Sequence, residues 1–288
     1  MSRSLNKKVT IADIIEAKKE GRRLTMLTAY DAPFAALVDS CGVDMILVGD
    51  SLGMVILGYD STVPVTMEEM LHHARAANRG RKRALLVGDM PFMSYQTGSR
   101  DAVINAGRFM KEAGCDAVKL EGGVEVCDTV RAIVAAGVPV MGHVGLTPQT
   151  AGNLGGYKVQ GRDLVSAKKI IAEARALADA GVFALVLECV PGELARAVSM
   201  AVPVPTIGIG AGVECDGQVL VTHDLAGLFD RFVPSFVKKY ADLAPRMKEA
   251  VSCFTEEVKN GSYLDNDHSF SSGESLSGLL EGGDKPGG

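Results

Sequence analysis

Eight short apolar runs, each followed by turn residues, recur between residues 24 and 224. In order they are LTMLTAYD (24–31), DMILVGDS (44–51), ALLVGDMP (84–91), AVKLEGG (117–123), PVMGHVG (139–145), ALVLECVP (184–191), PTIGIGAG (205–212) and GQVLVTHD (217–224). They are rich in Val, Leu and Ile and nearly continuous, as strands of a parallel sheet covered on both faces must be. The intervals between them carry helical spacing. TMEEMLHHARAANRG (66–80) opens on Thr66 with Glu69 three residues on, a capping-box pattern, and ends at Gly80. Three further helical segments end at Gly114, Gly137 and Gly181. Helix, glycine, strand is the usual return to a sheet, with the glycine predicted to take a left-handed cap.

Strands alternating with helices predict an α/β chain. Eight of them over about 260 residues favour a (β/α)8 TIM barrel over a doubly wound sheet. The interval between the seventh and eighth runs is too short for an ordinary helix. A leading segment, TIADIIEAKKEG (10–21), is predicted to form an N-terminal helix that closes the bottom of the barrel. From Ser262 the composition shifts to Ser, Gly and Asp. Such a segment cannot bury enough apolar area to offset the cost of ordering it. Residues 1–262 are therefore read as one barrel domain and 263–288 as a disordered C-terminal tail.

The net charge of −5 and the isoelectric point near 5.6 argue against a general nucleic-acid binder. No apolar run reaches the roughly 18 residues needed to span a bilayer. The opening MSRSLNKKVT has no apolar core, so a secretory leader is not expected and a cytoplasmic location is. The cysteines, Cys41, Cys115, Cys127, Cys189, Cys215 and Cys253, include no C-x-x-C pair and read as free thiols in a reducing compartment.

In such barrels the βα loops gather chemistry at the carboxyl ends of the strands. Those ends here carry Asp31, Asp50 with Ser51, Asp89, Lys119 with Glu121, His143, Glu188, the GIGAG loop, and His223 with Asp224. Two runs end alike, in Val-Gly-Asp. Since side chains alternate along a strand, Val48 shares a side with Asp50, and Val87 with Asp89. If those valines fill the barrel, both carboxylates point into its mouth. Facing carboxylates repel unless a cation or proton lies between them. Oxygen donors without a Cys or multi-His cluster suit Mg²⁺. The alternative is that each Asp caps a helix or pairs with an Arg.

Lys119 and Glu121, two apart, share a face. A strand-end lysine forms a Schiff base or stays charged and stabilises an oxyanion; the acids around it favour the second role, and a plain ion pair is the structural alternative. Glu188 ends an apolar run and is a candidate general base. His143 is placed to hydrogen-bond a substrate. His72 and His73 fall mid-helix and read as surface residues, and His223 has no assigned role. GIGAG (208–212) misses the G-x-G-x-x-G spacing and reads instead as a place where backbone approaches a bound anion.

The strings GYDSTVPVTMEEM, GDMPFMSYQTG, VKLEGG, GHVGLTPQTAGNLGGYKVQGR, LECVP and PTIGIGAGVECDGQVLVTHDLAG closely resemble the ketopantoate hydroxymethyltransferase family. The resemblance spans roughly residues 8 to 255. It implies a (β/α)8 enzyme that moves a hydroxymethyl unit from 5,10-methylenetetrahydrofolate to 3-methyl-2-oxobutanoate, giving 2-dehydropantoate for pantothenate and coenzyme A synthesis. Carried over residue by residue, it places Mg²⁺ on Asp50 and Asp89, with Glu121 reaching the ion. It places oxo-acid contacts on Asp50, Ser51, Asp89 and Lys119, and the proton acceptor on Glu188. It also implies a homo-oligomer, a decamer. No nucleic-acid or membrane partner is expected. No short motif marks where the pterin sits.

Overall fold

The computed structural model describes residues 7–154, 156–229 and 233–271. Its strands are β1 (Leu24–Thr28), β2 (Met45–Val48), β3 (Leu85–Asp89), β4 (Ala117–Glu121), β5 (Val140–Gly145), β6 (Ala184–Glu188), β7 (Thr206–Ile209) and β8 (Gly217–Leu220). Each pairs in parallel with the next, and β8 returns to β1 with Leu24 opposite Gly217 and Met26 opposite Val219. The sheet is thus a closed barrel in sequence order, as the eight runs predict.

The helices are α1 (Ile11–Lys19), α2 (Ala32–Ser40), α3 (Leu52–Val55), α4 (Met67–Gly80), α5 (Ser99–Ala113), α6 (Cys127–Ala135), α7 (Leu164–Ala180), α8 (Gly192–Ala201), α9 (Thr222–Leu225) and α10 (Leu243–Asn260). Between β7 and β8 there is no helix, in keeping with that short interval. Two compact units divide the chain, one up to Ala241 and one from Asp242. The first holds the barrel. The second holds α10, beyond which Tyr263 meets Phe254 edge to face at 4.9 Å between ring centroids. The boundary expected from composition, at 262/263, falls within the second unit. The disordered-tail reading for 272–288 lies outside the described residues. No helix among the described residues is long and apolar enough to cross a membrane.

Two layers of apolar side chains hold the barrel. The inner layer takes alternate strand residues, among them Leu24 and Met26, Met45 and Leu47, Leu85 and Val87, Ala184 and Val186. Val9, Ile14 and Ala17 from α1 and its entry join that same layer, so α1 closes the barrel's bottom as predicted. Thr10 starts α1 with a capping box closed by Asp13. The outer layer, with Ile46, Val48, Leu86, Val118 and Leu185, packs beneath α2, α4, α5, α6, α7 and α8.

The helix ends follow their sequence signals with one difference. Thr66 and Glu69 form the reciprocal capping box of α4. Gly114 and Gly181 take left-handed conformations after α5 and α7. Gly80 does not; it is the last helical residue of α4, and Arg81 caps in an extended conformation. Its reason is space, because a Cβ there would collide with the Ala32 carbonyl at the start of α2. Gly80→Ala is therefore expected to destabilise the barrel by about 1–3 kcal/mol, the usual cost of overpacking, read as a lower urea midpoint. An unchanged midpoint would show that α2 and α4 part freely.

Candidate active site

The inner-facing rows of β3, β4, β5 and β6 change from apolar to charged as they rise. Leu85 and Val87 lead to Asp89, Ala117 to Lys119 and Glu121, Met141 to His143, and Ala184 with Val186 to Glu188. Alternation alone aims these groups at the carboxyl-end mouth. For β2 the same argument fails. Met45 and Leu47 face inward there, while Val48 packs in the outer layer. The strand stops at Val48, and the turn through Gly49 re-aims Asp50 into the mouth. Asp50 thus arrives where predicted, by a different route.

The groups converge. The Asp50 backbone N–H donates to Asp89 Oδ2 at 3.1 Å. Lys119 Nζ lies 2.8 Å from Asp89 Oδ1, 3.7 Å from Glu121 Oε1 and 3.3 Å from His143 Nδ1. His143 Nδ1 lies 3.5 Å from Glu121 Oε1, and its Nε2 lies 3.3 Å from Glu188 Oε2, without hydrogen-bond alignment. When neutral, Nδ1 accepts from the ammonium; when protonated, the ring donates towards both glutamates. Ser51 shares its hydroxyl with Tyr30 at 3.0 Å. All these residues line one cavity of about 170 Å³, except Tyr30.

Charge is unbalanced in this mouth. Asp50, Asp89, Lys119, Glu121 and His143 are all buried. Burial, then the charges of Asp89 and Glu121, push the Asp50 carboxyl well above the usual range. Burial raises Asp89 as well, against the pull of Lys119. For Glu121 burial also acts upward, but Lys119 and His143 outweigh it and hold it low. Burial acts downward on Lys119, and the three carboxylates overcome it, keeping the amine protonated. His143, depressed by burial and by Lys119, is lifted to about 9 by its contacts with Glu121 and Glu188.

Gln149, which is not among the strand-end candidates, ties the floor together. Its Nε2 donates to Asp50 Oδ2 and to the Met90 carbonyl, both at 2.9 Å, and its backbone N–H donates to Glu121 Oε2 at 3.1 Å. Its Oε1 accepts from the Tyr95 hydroxyl at 2.7 Å. The GLTPQ string was the only signal of it. At the rim, Cys189 adopts a left-handed φ of 49°, which turns the chain sharply after Glu188.

Other strand-end candidates stand apart from this cluster. Asp31 caps α2 by accepting from the Phe34 N–H. His223 lies against Phe34 and Tyr30, and burial lowers its pKa, so it stays neutral. His72 is exposed as expected. His73 is not a free surface residue, since its Nδ1 meets the Tyr30 carbonyl at 2.7 Å. The thiols of Cys115 and Cys189 are both pushed up to about 12 by burial, so neither is a ready nucleophile.

The family profile described as ketopantoate hydroxymethyltransferase matches residues 8–266. The chain belongs to that family. A relative named 3-methyl-2-oxobutanoate hydroxymethyltransferase from Moorella thermoacetica is 62% identical over 263 residues, covering 91% of this chain and 98% of the relative. One of the same name from Desulfotalea psychrophila is 58% identical over 276 residues, covering 96% and 99%. These are hydroxymethyltransferases, and membership makes this chain an enzyme of that transferase family. Among solved structures, a phosphoenolpyruvate phosphomutase from Streptomyces platensis subsp. rosaceus superposes with a TM-score of 0.60 at 16% identity, covering 94% of each chain. A phosphonopyruvate hydrolase superposes with a TM-score of 0.58 at 15% identity, covering 95% of this chain and 94% of that one. Such low identities speak for the shared barrel alone.

Proposed function

We propose that this enzyme transfers a hydroxymethyl unit from 5,10-methylenetetrahydrofolate to 3-methyl-2-oxobutanoate, giving 2-dehydropantoate. The relatives' shared name supports the oxo acid and the group moved. The observation that carries the chemistry is the buried ammonium of Lys119, held among Asp89, Glu121 and His143, with Glu188 at the same mouth.

Among the described residues, no three His, Cys, Asp or Glu side chains form a ready-made metal cage. Two carboxylates nevertheless suffice for Mg²⁺, which keeps its other positions for water and substrate. The mouth fits such an ion, since its donors are oxygens and Asp50 is destabilised as a carboxylate by burial and then by Asp89 and Glu121. Asp50 and Asp89 would hold it, with Glu121 behind. When bound, the cation supplies Lewis-acid polarisation of the oxo acid's carboxylate and carbonyl oxygens.

The protein's own groups do the rest. Ser51 and His143 contact the oxo acid. Lys119 stabilises the negative charge that develops on the C2 oxygen. Glu188 takes the C3 proton, that carbon bonds to the one-carbon unit as its bond to one folate nitrogen breaks, and water displaces the second nitrogen, which leaves the hydroxymethyl group on the product and frees tetrahydrofolate.

The test is formation of 2-dehydropantoate from the two substrates, with and without chelator. Mg²⁺ is expected to restore the activity a chelator removes. Full turnover in excess chelator would sink the metal assignment, and no product under any condition would sink the reaction.

The free cysteines support a cytoplasmic setting, and the family resemblance supports a decamer. Residues 1–262 are proposed to form the working body. A chain ending at Tyr263 is expected to turn over and sediment like the full chain. A lower rate or a smaller particle would show that the removed residues take part.

A further inference from the structure

The mouth of the barrel is divided by polarity. From β2 round to β6 its wall is charged. From β7 through β8 it is apolar, with Ile209, Val219, Val221, Phe229 and Phe236 facing the cavity. Among the described residues of that second arc, Asp224 is the charged one lining it. It is 7% exposed, and its Oδ1 has no hydrogen-bond partner among the described residues. Burial pushes its carboxyl up to about 6, against the pull of Lys239, so it is still largely ionised at neutral pH. A buried carboxylate with an unpaired oxygen is costly, and a fold that keeps one has a use for it. Glutamine or leucine would fill the same place at less cost.

The apolar arc is built, not incidental. Gly210, at a left-handed φ of 60°, leaves the space that Phe236 occupies; a Cβ there would lie 2.7 Å from the ring. The GIGAG loop thus admits an aromatic side chain where an anion was expected. A ligand matching this wall has a flat apolar body and adjacent N–H donors on one edge, because a carboxylate accepts two parallel hydrogen bonds from such an edge. A simple ammonium would satisfy the carboxylate but leave the aromatic wall without a partner.

We propose that Asp224, with Phe229 and Phe236, forms the subsite for the aminopyrimidinone ring of a reduced pterin, the carboxylate accepting from the 2-amino group and the neighbouring ring N–H. This rests on the one-carbon donor named above. It also gives the divided mouth a division of labour, with the oxo acid on the charged arc and the donor on the apolar one.

The experiment measures tetrahydrofolate binding to the full-length protein by calorimetry, for the wild type and Asp224→Asn. The variant is expected to bind roughly 10- to 100-fold more weakly, the usual worth of hydrogen bonds to a charged group. Its melting temperature is expected to equal or exceed that of the wild type, since an unpaired buried charge is removed. A structural carboxylate would instead lose stability on substitution. In a second arm, a tetrahydrofolate analogue lacking the 2-amino group should bind the wild type as weakly as the parent binds the variant, and lose nothing further in the variant. Equal binding of tetrahydrofolate by both proteins, equal binding of both ligands by the wild type, or a destabilised variant would overturn the assignment. Folate-free exchange of the oxo acid's C3 hydrogen reads the charged arc by itself. Exchange together with tetrahydrofolate binding that Asp224→Asn leaves unchanged overturns this inference alone, whereas binding without exchange overturns the transferase chemistry and leaves the subsite standing.

Discussion

Glu188→Gln is expected to slow exchange of the C3 hydrogen of 3-methyl-2-oxobutanoate in D₂O by roughly 10²–10⁴, the usual worth of a positioned general base. The exchange needs only the oxo acid, Mg²⁺ and a base, so folate is left out. The substitution keeps the length and shape of the side chain, but an amide cannot accept the proton. Position supports Glu188 over its neighbours. Asp50, Asp89 and Glu121 are buried at the floor and engaged by Gln149, Lys119 or a backbone N–H. Glu188 stands at the rim with its side chain 16% exposed, and its contact is His143. His143 is held up to about 9 by Glu121 and Glu188, so at neutral pH it carries a proton already and is poorly placed to take another. NMR of the C3 position gives the rate directly. Exchange by the variant at the wild-type rate would remove Glu188 as the base and make His143, no longer held protonated by that carboxylate, the next candidate.

Much of this arrangement is legible in the sequence because strands obey a two-residue period. Once ALLVGD, AVKLE and ALVLE are read as strands with their second and fourth apolar residues or their small residues inward, Asp89, Lys119 with Glu121, and Glu188 must share the mouth. The reading weakens where the period ends before the functional residue does. Val48 is the case in point. The condition that it fills the barrel is not met, since it faces the helices, and only the turn at Gly49 brings Asp50 round. Turn geometry is not written in a hydrophobic pattern. Gln149 was illegible for a related reason. It lies in an irregular stretch, Pro148–Leu154, and its partners come from Asp50, Met90, Tyr95 and Glu121, so its role exists only once the barrel has closed. Asp224 ends its run as Asp89 does, and nothing local says that one carboxylate would gain an ammonium and the other keep an oxygen unpaired among the described residues.

Lys119→Ala is expected to slow the same folate-free exchange by about 10²–10³, the usual loss when one stabiliser of a developing oxyanion is removed. The ammonium is suited to that role because it cannot easily become anything else. Three carboxylates overcome its burial and keep it protonated, and a protonated amine is no nucleophile. Borohydride added with the oxo acid should therefore leave the wild-type mass unchanged. A trapped adduct on Lys119 would replace the electrostatic role with a Schiff base. The same burial gives the variant a second phenotype. Asp89, Glu121 and His143 all lie within 4 Å of the lost Nζ, and taking one partner from a buried ion pair commonly costs about 3–5 kcal/mol. A lower urea midpoint is thus expected alongside the slower exchange. The two effects separate by condition. Far below the unfolding midpoint the variant remains folded, so a rate deficit that persists there belongs to the missing charge, while one that vanishes on adding a stabilising osmolyte would show that Lys119 supports only the fold.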